Sequence, residues 1–507
     1  MDTLTRPDID AAEVAKAAAV ADTVKAADTA KAADATVADS GTSARLQAVL
    51  ARQRQAYLAH PVPSLAERKA DLQTLARFIR ENQQPIIDAI SADYGHRSVH
   101  ETLLTEVGPV LSSIRHTARR VGSWMQPQRR GVDRLAYGLA SNRVIPQPLG
   151  VVGVIVPWNF PLNLSFEPLS AIFAAGNRAM VKMSENSRHL AALLIERMPK
   201  YFPPEKLQFF DETGGVGVVF SKLKFDHLLF TGSGTTGRAV MAAAAQNLCP
   251  VTLELGGKAP AVVCADFDLK TAAERILFIK YLNAGQICTT VDHAFVPRAS
   301  IPAFVQFARE TVPKRYPSLD SPDYTSIIDR RAYERIVQTL DDARARGATV
   351  IALLPGPAFD EARHRVAPHI VLDAPADSML MQREIFGPVL PVLAYDDIGE
   401  VIDRINAGPR PLALYPFSHD EAVLDRLIER VMSGGVTIND ALLHVGQDEL
   451  PFGGVGESGM GHYHGHEGFI TFSKLRPIFR QSRWSSLELL MPPYGKLADR
   501  VLAFLTR

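Results

Sequence analysis

His227-Leu228-Leu229-Phe230-Thr231-Gly232-Ser233-Gly234-Thr235-Thr236-Gly237 begins as an apolar run and breaks into a glycine-rich turn. The run reads as a buried strand, and the residues after the turn open a helix. Gly232, Gly234 and Gly237 fit G-x-G-x-x-G in the context that puts a nucleotide pyrophosphate at a helix N-terminus. A tight strand-to-helix turn without a ligand is an equally good reading of the same glycines. The dinucleotide fingerprint also needs an acid about 20 residues further on for the ribose. Glu254, 17 residues beyond Gly237, takes that place on pattern alone.

Similar runs recur on both sides. Val151–Val156, Ala179–Met183, Val251–Leu255 and Ala261–Val263 alternate with stretches of helical spacing. A second series, between Ile276 and Val436, includes Ala294–Val296, Thr349–Leu353, Pro391–Leu393 and Gly435–Ile438. Continuous apolar strands separated by helices predict an α/β fold with parallel sheets covered on both faces. Upstream, Leu46–Ile90 carries apolar residues at helical spacing. Arg129–Pro146 is basic and turn-rich, and its β-leaning part, Asn142–Ile145, suits an exposed hairpin or arm. Residues 11–40 are mostly alanine with nothing large to bury, which reads as a solvated tail. A targeting or docking helix is the sharper alternative, although its aspartates argue against a mitochondrial transit peptide. Tyr494–Leu505 is amphipathic and too short to span a bilayer.

The whole chain has 507 residues, with 55 Lys+Arg against 55 Asp+Glu. A zero balance argues against bulk electrostatic binding to nucleic acid. With 47% hydrophobic and 22% charged residues it is expected to bury a large core. No apolar run is long enough for a membrane span, and Met1–Asp10 lacks the apolar core of a secretory signal. Three cysteines, Cys249, Cys264 and Cys288, exclude a disulfide scaffold and fit a reducing compartment, so a cytoplasmic location is expected.

Several segments could carry chemistry. Cys288 lies in the polar turn Gly285-Gln286-Ile287-Cys288-Thr289-Thr290, whereas Cys264 reads as a buried strand end and Cys249 as loop. Free cysteine is more often a small core residue than a nucleophile, and its context makes Cys288 the exception. Glu254 ends a strand and precedes Gly256-Gly257, where the backbone can approach a ligand closely. Pro157-Trp158-Asn159-Phe160-Pro161 ends another, and an amide held there could donate to an oxyanion or simply make an Asx turn. Lys182 and Glu185 could clasp ribose hydroxyls or form a solvated ion pair. His462, His464 and His466 suggest a metal by spacing, but nothing completes a ligand set, so no metal is expected.

In order, Pro-Trp-Asn, Lys182-x-x-Glu185, the glycine-rich turn, Glu254-Leu-Gly-Gly-Lys258, Gly285-Gln-x-Cys288 and Glu384-Ile385-Phe386-Gly387-Pro388 resemble the aldehyde dehydrogenase superfamily from about Leu46 to Phe479. Asn439-Asp440, Pro451–Gly456, Ser458–Gly461 and Tyr463–Gly465 resemble its class 3-type branch. His444–Asp448 and Pro492–Lys496 look most like the coniferyl aldehyde dehydrogenases. Met183 stands where the family often has proline, and the Ala-rich extension is outside the pattern.

The resemblance implies a three-part chain. A Rossmann-like cofactor domain takes 43–125 and 149–253, and a catalytic domain takes 254–436. A β-arm for oligomerisation takes 126–148 and 437–479, with 1–42 as a disordered extension and 480–507 as a tail. It implies Cys288 as nucleophile, Asn159 with the Cys288 N–H as oxyanion donors, and Glu254 as general base, which removes Glu254 from the ribose. Because free cysteine titrates near ~8.5, the site must lower that value or use a base. Lys182 and Glu185 then face the ribose. Trp158, Gly232, Ser233 and Gly237 face the pyrophosphate, and Glu384 and Phe386 face the nicotinamide end. The implied reaction is NAD(P)-dependent oxidation of an aldehyde to the acid, with NAD favoured, NADP possible, and a homodimer expected. Coniferaldehyde is the expected substrate and medium-chain aliphatic aldehydes the alternative. CoA-acylating and non-catalytic readings are disfavoured by the presence of Glu254, Cys288 and Asn159 together.

Overall fold

The computed structural model describes residues 40–213, 215–483 and 490–506. The Ala-rich extension therefore lies outside the described residues, except for Ser40–Thr42 in the first turn of helix Ser40–Ala59.

The first sheet contains β1 (Val151–Ile155), β2 (Arg178–Lys182), β3 (Leu207–Phe210), β4 (His227–Thr231) and β5 (Val251–Glu254). Its spatial order is β5-β4-β1-β2-β3, all parallel, with the short strand Gly459–Met460 added antiparallel to β5. The strand order reverses between β1 and β4, the point beyond whose carboxyl ends open α/β sheets form their ligand crevice. β1 is apolar on both sides. Val152 and Val154 of β1 enter a cluster with Phe166, Leu169 and Ile172, while Val151 and Ile155 enter another with Leu46, Phe220 and Val240. Helices cover both faces, so the strands lack the polar alternation of a half-exposed sheet.

The second sheet contains β6 (Pro260–Val263), β7 (His293–Pro297), β8 (Thr349–Ala352), β9 (His369–Leu372), β10 (Val389–Tyr395), β11 (Ala413–Phe417) and β12 (Gly435–Val436). Its order is β8-β9-β10-β7-β6-β11-β12. As expected its strands are parallel, except that β8 runs antiparallel to β9 at one edge. A third, antiparallel sheet pairs Ser141–Pro148 with Ser473–Arg480 along its full length and with Gln128–Arg130. The tail carries a helix at Lys496–Leu505. Among the described residues no helix is long and apolar enough to cross a membrane.

Candidate active site

The switch between β1 and β4 sets Pro157–Phe160 beside Thr231–Ser233. Ser233 caps helix Gly234–Ala245, accepting from the Thr236 N–H at 3.3 Å. The first N–H groups of that helix are left for an anion. A side chain at Gly232 would strike the Phe230 ring, and one at Gly237 would strike Leu255, each at 2.7 Å. The glycines are thus required by close packing of turn, strand and helix.

Glu254 ends β5, where its carbonyl accepts the Gly232 N–H at 3.0 Å. Its carboxyl is buried, and neither oxygen has a hydrogen-bond partner among the described residues. Desolvation holds that carboxyl well above the usual carboxylate range. Cys288 is the half-buried cysteine of the three, packed against the apolar cluster that includes Phe452 and Tyr463. Burial, with the Glu384 and Glu254 carboxyls within electrostatic reach, pushes its thiol up to about 12. Of the two routes to a thiolate, a lowered value is not what this geometry provides, so a base is required.

The backbone before Cys288 is unusual. Asn283, Ala284 and Gly285 have φ of 52°, 50° and 73°. Left-handed alanine is disfavoured, so tertiary contacts must hold this turn. Asn159 supplies one: its Nδ2 donates to the Gln286 carbonyl at 3.2 Å. One amide hydrogen anchors the side chain to the cysteine loop, and the second remains for another acceptor.

At the other side of the crevice, Trp158 meets Phe386 edge-on at 5.4 Å. Phe386 has φ 48°, and Arg335 holds its carbonyl at 3.2 Å and that of Ile385 at 2.7 Å. A side chain at Gly256 would come within 2.0 Å of the Glu384 carboxylate. Burial, reinforced by Asp292, pushes Glu384 up to about 8. The Lys182 ammonium is buried and pairs with Glu212, while Glu185 is exposed and accepts from the Ser184 hydroxyl at 3.3 Å. No ion pair joins Lys182 to Glu185 among the described residues. Glu212, in the loop after β3, was missed from sequence because β3 is only four residues long and its runs were read elsewhere.

These features fit a dinucleotide. Thr231 Oγ1, both Glu254 carboxyl oxygens and Glu384 Oε1 are buried with no hydrogen-bond partner among the described residues, as expected of groups left for a ligand. At Gly232 and Gly256 a Cβ would collide with the Phe230 ring and the Glu384 carboxyl, so both turns need glycine. Two of the three histidines pack on rings, His464 on Phe452 at 5.2 Å and His466 on Trp124 at 5.8 Å, while His462 is exposed.

Comparison with known proteins agrees with this geometry. Residues 14–478 match the aldehyde dehydrogenase family. A probable coniferyl aldehyde dehydrogenase of Pseudomonas aeruginosa is 48% identical over 460 residues, covering 90% of this chain and 95% of that protein. A coniferyl aldehyde dehydrogenase of a Pseudomonas species is 42% identical, covering 91% and 96%. Aldehyde dehydrogenase family 3 member A2 of Rattus norvegicus is 39% identical, covering 84% and 86%. Among solved structures, the substrate-bound state of Staphylococcus aureus AldH superposes with a TM-score of 0.85 at 32% identity, covering 90% and 99%.

Proposed function

This chain belongs to the aldehyde dehydrogenase family, and on that premise we propose that it oxidises coniferaldehyde to ferulate with NAD. The carrying observation is the convergence on Cys288 of Glu254, a buried carboxyl with both oxygens unpartnered, and of Asn159, an amide tied to the cysteine loop. Cys288 Sγ loses its proton to a base and attacks the aldehyde carbon. The oxyanion that forms takes the free amide hydrogen of Asn159 and the Cys288 N–H. One donor of this kind contributes about 2.7–4 kcal/mol to the barrier reduction. A bound NAD(P) supplies the hydride-accepting carbon. What remains on Cys288 is an acyl thioester. Glu254 takes a proton from water as its oxygen adds to the thioester carbon, the C–S bond breaks, and the acid leaves.

Trp158, Gly232, Ser233 and Gly237 would hold the pyrophosphate, and Lys182 the ribose. Glu384 and Phe386 would hold the nicotinamide end. Glu185 beside the ribose would disfavour a 2′-phosphate by like-charge repulsion, which supports NAD over NADP. The similarity to coniferyl aldehyde dehydrogenases over some nine-tenths of the chain supports an aromatic aldehyde. Exposed Leu475 and Phe479 on strand Ser473–Arg480 support pairing of two copies through the arm. Three unpaired cysteines support a cytoplasmic setting. We keep the division into cofactor domain (43–125 and 149–253), catalytic domain (254–436) and arm (126–148 and 437–479), with the difference that Gly459–Met460 joins the first sheet and Ser473–Arg480 carries the arm pairing.

The test is nicotinamide reduction with coniferaldehyde and with hexanal, using NAD and NADP, with the acid product identified by chromatography. Coniferaldehyde with NAD is expected to give the highest kcat/KM. A preference for hexanal would overturn the substrate while leaving the mechanism, and a preference for NADP would overturn the ribose reading.

The protonation states predict a pH profile. Desolvation raises the Cys288 thiol to about 12 and the Glu254 carboxyl above the usual carboxylate range, so raising the pH favours the reactive forms. The value of kcat/KM is expected to climb between about pH 6 and 9, without the plateau that ordinary carboxylates would give above about pH 5. A flat profile over that range would show that neither group limits the rate.

A further inference from the structure

The main chain of Asn159 is clamped from a part of the chain the mechanism has not used. Its carbonyl accepts from Tyr94 Oη at 2.9 Å, Arg97 Nη1 at 3.2 Å and Asn283 Nδ2 at 3.4 Å. Arg97 is fully buried, with its guanidinium over the rings of Phe160 and Tyr94 at 4.9 and 5.1 Å. Its charge is met by Glu106, whose Oε1 accepts from Arg97 Nη1 at 2.6 Å. Glu106 Oε2 accepts the N–H groups of Leu162 and Asn163 at 2.8 and 2.9 Å. One carboxylate thus ties the arginine on one side of Asn159 to the helix start on the other.

Glu106 reaches this position from a π-helical turn, Leu103–Val107, between helices Val99–Thr102 and Gly108–Trp124. The sequence gives a reason for the turn. Pro109 has no N–H to offer the Thr105 carbonyl, the bond an α-helix would make there. That carbonyl accepts from Asn163 Nδ2 at 3.1 Å instead. The Gly108 N–H donates to the Leu103 carbonyl, closing the wider turn. Single π turns inside helices are often found at functional sites.

We propose that Glu106, through Arg97 and with Tyr94, is a positioning residue for the Asn159 amide, the π turn being the device that brings it there. The inference rests on the reading of Asn159 as oxyanion donor. Neither Glu106 nor Arg97 touches the reacting atoms. They fix the peptide of Asn159, and its side chain is aimed across to the cysteine loop from that fixed base. An amide displaced by about 1 Å loses most of its preference for the transition state, an effect of up to about 100-fold.

The test is a double-mutant cycle read on the rate of the first turnover. In E106Q the amide still accepts from Leu162 and Asn163, but it presents N–H toward Arg97 and releases its clamp. E106Q is expected to slow the first turnover about 10- to 100-fold, with nucleotide Kd and aldehyde KM within about two-fold of the parent. E106D, which keeps the charge, should recover part of the rate. In an N159A background E106Q should add less than a factor of about two, because it acts through a group no longer present. The same slowing in both backgrounds would overturn the proposal, as would an unchanged rate for E106Q. N159A by itself checks the underlying reading: a full rate in that variant would sink the oxyanion role, whatever E106Q does. Y94F, which removes one hydroxyl donor to the same carbonyl, carries the same cycle if E106Q fails to fold.

Discussion

Substitution of Cys288 by alanine is expected to reduce aldehyde oxidation by ~10⁴-fold or more, the scale seen when a covalent nucleophile is deleted. The other two thiols cannot substitute for it. Cys249 is buried with its Sγ against the Pro250 carbonyl at 3.5 Å, and Cys264 is buried beside β6. Burial pushes those thiols up to about 12 and about 11. Cys288 differs by location: it is half-buried in the loop that Asn159 holds, in reach of Glu254. Nucleotide binding should survive in C288A, because the Ser233-capped helix, Lys182 and Glu384 lie on other elements. Absorbance of reduced nicotinamide reads the first effect and titration calorimetry with NAD reads the second. Turnover near the parental rate would remove Cys288 from the mechanism. Loss of NAD affinity along with activity would point to collapse of the loop instead.

E254Q is expected to lower steady-state turnover about 10²- to 10³-fold, within the range of a general base. Glutamine keeps the size of the side chain but cannot take a proton. Because the native carboxyl is desolvated and has no hydrogen-bond partner among the described residues, an amide of the same size should leave the fold undisturbed. Thioester hydrolysis should be the step that fails. A stoichiometric burst of reduced nicotinamide followed by near-silence is the expected trace, with the acyl group found on Cys288 by mass spectrometry. Absence of the burst would move Glu254 one step earlier, to removal of the Cys288 proton. Unchanged steady-state turnover would exclude it from both steps.

The parallel α/β architecture was legible because strands buried on both faces are mostly apolar along their length. Val151–Ile155 and His227–Thr231 need no tertiary knowledge to be recognised. The strands that escaped notice contradict local rules or are very short. Ala413–Phe417 contains Pro416, which ordinarily argues against a central strand, yet it lies between β6 and β12 with Pro416 opposite Val262. Leu207–Phe210 has only four residues, and missing it also hid Glu212 behind it. Thr349–Ala352 was visible as a strand, but not its antiparallel direction, which depends on the partner across the edge.

The candidate site divides in the same way. Cys288, Glu254, Asn159 and the glycine turn stand out locally, because each is a reactive or unusual residue at the end of an apolar run. Their types and order, and the family they indicate, follow from the sequence by itself. It also carries the Gly108-Pro109 pair that breaks a helical ladder. Only the tertiary structure decided what those residues meet. Whether Cys288 is lowered or raised in pKa depends on desolvation by distant strands and on two carboxyls brought beside it, at positions 254 and 384. The pairing of Lys182 with Glu212, and of Arg97 with Glu106 around the Asn159 carbonyl, joins segments from different elements. Burial and charge contact are properties of separations through space, and these become definite only when the sheets have closed.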